Sequence, residues 1–185
     1  MSDHGLVLSR MTDWLERAVI GLNLCPFAKA VHVKGQIHWV ISDAVEDADV
    51  LSKLEQEIKV LQGLSPDVRD TTLLVLPLAF ADFHDFNAFL SRAQRLLKTL
   101  RMGDEFQMAS FHPRFVFAGT DDDDISNATN RAPYPTLHVL RQSSVDRAVA
   151  AFPQAEAIFE ANIRTLEALG PQGWARLMQH KPVER

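Results

Sequence analysis

The sequence predicts an α/β fold: a single-domain layered sandwich in which a mixed sheet of about four strands is flanked by helices. Three observations carry this. Segments with apolar residues three and four apart alternate with short β-branched or apolar runs, the order expected when helices cross between strands. The run "TTLLVLPL" at 71–78 is apolar almost throughout, as a strand covered on both faces is. The last two strand-like segments are joined by a long polar loop and not by a helix, so parallel pairing is not required of them and the sheet is expected to be mixed.

The elements follow in order. Leu8, Met11, Leu15, Ala18 and Leu22 share one helical face, which predicts a helix over 8–22 ending in "GLNLCPF". "IHWVIS" at 37–42 is short, β-branched and aromatic, a strand composition. Leu51, Leu54, Ile58 and Leu61 repeat the helical step within 45–62, Glu55 and Lys59 pair four apart on the outer face, and "GLSPD" stops the helix. After the strand at 71–78, Asp82 is placed to cap a helix with Phe83, Phe86, Leu90, Ala93, Leu97 and Leu100 on its core side. "FQMASFHPRFVF" at 106–117 alternates and is interrupted by Pro113, so it reads as a strand with an irregular end. "TLHVLR" is the fourth strand. "SVDRAVAAF" predicts a short helix, and 153–169 a longer one with Phe159, Ile163, Leu166 and Leu169 facing inward. Gly170-Pro171 ends it, and Trp174, Leu177 and Met178 suggest a last docked turn or two.

The chain has 185 residues, enough for one domain with its own core. The whole chain is expected to form it, with the core between about Leu8 and about Trp174 and short flexible termini. With 46% hydrophobic and 23% charged residues, disorder is excluded as the default. A formal net charge of -5 and the lack of a basic stripe argue against a nucleic-acid partner. Arg92, Arg95, Lys98 and Arg101 are dispersed at helical spacing and read as a solvated face. The single cysteine, Cys25, excludes an internal disulfide and suits a reducing compartment. No segment resembles a signal peptide, and none approaches the roughly 20 apolar residues of a membrane span. A cytoplasmic protein with no membrane partner is expected.

Three stretches combine polar side chains with proline. In "NLCPFAK", Pro26 suits the first position of a helical turn and would put Cys25 at the N-cap, where free N–H groups favour thiolate. The alternative is a buried cysteine packing as a small hydrophobe. In "SFHPRF", strand alternation puts Ser110, His112 and Arg114 on one face. The alternative is a histidine satisfied by a backbone carbonyl and an arginine paired with an acid. In "NATNRAPYPTLHVLR", Pro133 and Pro135 stiffen the chain so that Asn130 and Arg131 leave it in a defined direction. Arginine's planar fork suits carboxylate or phosphate. The alternative is an ordered crossover with Arg131 paired to one of the aspartates at 121–124. That "DDDD" run fails the spacing of a calcium loop, and no zinc-type His/Cys spacing is present.

"GLNLCPFAK", "FHPRFVF" and "NRAPYPTLHVLR", in this order, resemble the bacterial domain-of-unknown-function family numbered 1415, over nearly the whole chain. The resemblance implies that the three polar clusters coincide with that family's signature motifs; it carries no activity. The commoner family form of the third motif has Ser at position 132 and Glu at 142. Here Ala132 and Gln142 stand there, which argues against either position supplying an essential acid, base or nucleophile.

The expected function is an enzyme acting on a small anionic metabolite, a carboxylate or a phosphate. Arg114 and Arg131 would grip the anion, with Asn127, Asn130 and Tyr134 as further ligand-binding residues. His112 or His138 would act as general acid/base and Cys25 as nucleophile. A non-catalytic module binding an anion or a protein is the alternative. A metal-dependent hydrolase using His112, His138 and the aspartates ranks third. The motifs name no cofactor and fix no oligomeric state.

Overall fold

The computed structural model of the chain describes residues 2–151 and 157–179. Its elements are α1 (His4–Trp14), a π-helical turn (Leu15–Ile20), α2 (Ala28–Val33), β1 (Ile37–Ile41), α3 (Asp47–Gln62), β2 (Thr71–Val75), α4 (Phe83–Thr99), β3 (Phe106–Phe111), a 3-10 helix (Ile125–Asn130), β4 (Thr136–Arg141), α5 (Gln142–Ala151) and α6 (Ala157–Met178). The four strands form one mixed sheet in the order β1-β2-β4-β3. β1 and β2 are parallel, while β4 is antiparallel to both β2 and β3.

Alternation along the strands divides the core in two. Leu74, Leu137, Val139 and Phe106 point toward α3 and α4, where they meet Val50, Leu54, Ile58, Leu61, Phe86, Phe89, Ala93 and Leu97. Val75, Ile37, Trp39, Ile41 and Phe111 point to the other face, against Val7, Met11 and Trp14 of α1, Leu15 and Ala18 of the π-turn, and Trp174, Leu177 and Met178 of α6. Every residue of β2 is buried, as its apolar run requires.

Several local expectations change. The first helix buries Val7, Met11, Trp14, Leu15, Ala18 and Val19, while Leu8 is exposed. Its second part widens, with Gly21 N bonding Glu16 O at 3.0 Å and Leu24 N bonding Val19 O at 2.9 Å; this i→i+5 pattern turns adjacent pairs of residues inward. β2 stops at Val75 and β3 at Phe111, because Pro77 and Pro113 bring no N–H to a ladder. α6 is two helices joined at Gly170, whose φ of 67° only glycine adopts readily, and Pro171 starts the second. Phe159 does not face inward; it is 54% exposed. Of the predicted helix over 153–169, residues 153–156 lie outside the described residues, as does Phe152 of the preceding one.

α3 also carries a carboxylate on its core side. Glu57 takes Arg69 at 2.6 Å and Lys53 at 2.8 Å, and Arg69 Nε donates to Thr72 at 2.9 Å. Glu57 and Arg69 are both buried, and each satisfies the other's charge.

Candidate functional site

The register aligns Val75 of β2, Thr136 of β4 and Phe111 of β3 at one end of the sheet. The connections at that end carry the second and third polar stretches, and the structure joins them directly. His112 N donates to Asn130 O at 3.1 Å, and Asn130 Nδ2 donates to Ser110 O at 3.2 Å.

Most of the side chains here hold the frame itself. His112 is buried and uses both ring nitrogens. Nε2 donates to Phe80 O at 2.9 Å, and Nδ1 accepts the Arg114 amide at 3.0 Å. This network assigns the proton to Nε2 and a neutral ring. Burial and, less strongly, the Arg114 cation lower its pKa, against the opposing pull of the Phe80 carbonyl and Asp82. The ring stacks on Phe86 at 5.4 Å. Its bond to Phe80 anchors a phenylalanine at φ 56°, a strained conformation for a bulky residue. Arg114 donates to Ala81 O at 2.7 Å and lies 3.5 Å from Asp82, the residue that caps α4 by accepting from His84 and Asp85. The second stretch thus buckles the β2–α4 connection.

The third stretch staples a loop. Asn127 is fully buried; its Oδ1 accepts from Phe117 N at 2.9 Å and from Thr120 Oγ1 at 2.8 Å, and its Nδ2 donates to Asp121 O at 2.8 Å. Arg131 donates through Nε to Phe115 O at 3.2 Å and through a terminal nitrogen to Asp122 O at 2.6 Å. It binds the backbone of the aspartate loop and not a carboxylate.

His138 lies on the opposite side of the sheet from His112. It pairs with Ala109, in phase with Phe111, whereas His112 continues the Phe106, Met108, Ser110 side. Thr71 Oγ1 gives its proton to Val139 O at 2.7 Å and so accepts from His138 Nε2 at 2.7 Å. Burial lowers the His138 pKa to about 4. Cys25 is not a helix N-cap. α2 begins at Ala28 with Phe27 as its cap, and Cys25 is half-buried against the apolar cluster of α1. Burial raises the thiol pKa, outweighing hydrogen bonds from the Phe27 and Ala28 amides. No charged group contributes to that balance. The hydrogen-bond partners of the Cys25 thiol are the Phe27 and Ala28 amides, and those of the two histidines are Phe80, Arg114 and Thr71. Among the described residues, no three His, Cys, Asp or Glu side chains gather closely enough to hold a metal ion.

Tyr134 leads to a different place. Its hydroxyl accepts from Arg10 of α1 at 3.2 Å. Beside it is a cleft of about 300 Å³ lined by Arg10, Asp13, Arg17, Pro133, Leu177 and Met178. Arg17 donates to Gln179 O at 2.8 Å. Sequence reasoning names Tyr134 but misses both arginines. At i and i+7 on the polar face of a helix, they carry no local signal beyond that of a solvated surface.

A family model described as a protein of unknown function (DUF1415) matches residues 6–176. The chain belongs to that family. No curated protein and no solved structure gives a significant match. In this DUF1415 protein the second and third polar stretches meet at one end of the sheet. The first packs Leu24 against Ala128 of the 3-10 helix and Leu166 of α6, where Asn162 Nδ2 donates to Leu24 O at 2.9 Å.

Proposed function

We propose that this DUF1415 protein is a binding module for a small carboxylate bearing an apolar ring or chain, held in the cleft between α1 and the end of α6. The observation that carries this is the convergence of Arg10 and Arg17 on one cleft whose other lining residues are Asp13 and the apolar Pro133, Leu177 and Met178. A guanidinium has five N–H donors. One from Arg10 goes to Tyr134 and one from Arg17 to Gln179, which orients each fork and leaves donors for a ligand. Two forks suit the paired oxygens of a carboxylate. The volume lies at the lower end of small-molecule sites, which suits a ligand the size of an aryl acid.

Turnover is not part of this reading, because the thiol is disfavoured as thiolate and both histidines serve the frame. Titration calorimetry with phenylacetate, acetate and inorganic phosphate tests it. Phenylacetate should bind most tightly, and Arg10→Ala/Arg17→Ala should abolish its heat. Equal heats from the wild type and the double variant would place the ligand elsewhere.

A further inference from the structure

A second feature lies away from the cleft, in the loop that the third stretch staples. We infer that the segment from His112 to Asp124, together with the start of α6, is a rigid docking platform for a basic amphipathic segment of a partner protein. The segment has no helix or strand, yet Asn127, Arg131 and Thr120 fix it with six hydrogen bonds. A long irregular segment held this firmly in a compact fold is characteristic of a functional loop.

What it presents is a row of rings. Phe83 meets Phe115 at 5.1 Å, Phe115 meets Phe117 at 4.9 Å, and Phe117 meets Phe159 edge-on at 6.1 Å. The row starts beside the buried His112 and ends at the surface, with Phe115 and Phe117 half-buried and Phe159 exposed. Phe159 sits at a helical position that the apolar spacing of α6 assigns to the interior, so its face is one that a helix partner would cover.

Charge identifies the partner. Asp121, Asp122 and Asp123 are exposed on the same loop, tied to the ring-bearing backbone because one guanidinium, Arg131, binds both Phe115 O and Asp122 O. Glu160 follows Phe159 but pairs with Arg164 and adds no net charge. The nearby cations are committed: Arg114 to Ala81 and Asp82, Arg131 to carbonyls, and Arg164 to Glu160 at 3.8 Å. Carboxylates and aromatic faces both attract lysine and arginine, and they repel the phosphates of nucleic acids and anionic lipids. An apolar row with an acidic rim matches a helix with one apolar and one basic face. Because the platform is already ordered, docking does not have to supply that order.

Fluorescence anisotropy with a labelled leucine–lysine peptide of about 18 residues, patterned as an amphipathic helix, tests the proposal. Its scrambled isomer and a leucine–glutamate counterpart serve as controls. The patterned basic peptide should bind at least about tenfold more tightly than either control. Phe159→Ser should cost about tenfold or more, the loss of an aromatic anchor. Asp121→Asn/Asp122→Asn/Asp123→Asn should weaken binding and flatten its salt dependence. Phe159 is exposed, so its variant keeps the fold, which an unchanged melting temperature verifies. Equal binding of the scrambled peptide, or no effect of Phe159→Ser, overturns the proposal. So does a concentration-dependent dimer that Phe159→Ser abolishes, since the face would then belong to a second copy.

Discussion

Replacing Asn127 with alanine tests directly whether the residues of the third polar stretch build a frame. The side chain is fully buried and makes three hydrogen bonds, two accepted by Oδ1 and one donated by Nδ2. Each contributes about 1 kcal/mol net, and a partner left dry costs more, so Asn127→Ala should destabilise by about 3 kcal/mol. For a chain of this length that corresponds to a fall in Tm of about 6–12 °C. Asn130 provides the internal standard: its side chain makes one bond, to Ser110 O at 3.2 Å, and Asn130→Ala should cost about 1 kcal/mol. Urea unfolding followed by tryptophan fluorescence measures both, Trp14 being buried in the core. A change in midpoint without a change in slope reports stability alone. If Asn127→Ala costs no more than Asn130→Ala, the loop is held by something other than this amide.

Three further outcomes follow from the same structure. The Cys25 thiol, raised in pKa by burial, should be alkylated at neutral pH more slowly than a free thiol and become reactive on unfolding; labelling as fast as a model thiol would contradict its burial. His138 has a folded pKa of about 4 against an ordinary 6.5, so the unfolded chain binds its proton first. Stability is therefore complete above pH 6.5 and lost as pH falls toward 4, by about 3 kcal/mol; His138→Gln should flatten that window, and an unchanged pH profile would refute the assignment. Arg101 occupies the left-handed position after α4, at φ 56°, with Met102 N bonding Leu97 O at 2.9 Å and Arg101 N bonding Lys98 O at 3.0 Å. This is a Schellman cap that favours glycine, so Arg101→Gly should stabilise by about 1 kcal/mol in the same urea assay.

Local patterns were readable where one face of one element decides the outcome. α4 starts at its Asp82 cap and buries Phe86, Ala93 and Leu97 as its spacing predicts, and β4 occupies the stretch "TLHVLR". Proline beside strand ends marked the second and third stretches, but not their meeting through His112 N and Asn130 O. What was not legible depends on which elements become neighbours. Pairing Ala109 with His138 fixes the two histidines on opposite faces, and no spacing within either strand reveals that pairing. The Arg10 and Arg17 cleft needs the end of α6 against α1, elements at opposite ends of the chain. Glu57 and Arg69 look like surface charges until the fold buries them together. Phe159 fits an inward spacing, but its side of α6 has no layer over it among the described residues.

Arg131 supports the frame, whereas Arg10 and Arg17 are the proposed ligand-binding pair. Thermal unfolding with and without phenylacetate, in Arg131→Ala and in Arg10→Ala/Arg17→Ala, separates these roles, since a ligand raises Tm only through a site the folded state retains. Arg131→Ala should lower the starting Tm but keep the ligand-induced rise, and the double variant should lose the rise. A rise abolished by Arg131→Ala at full folding, and kept by the double variant, would contradict this division of roles.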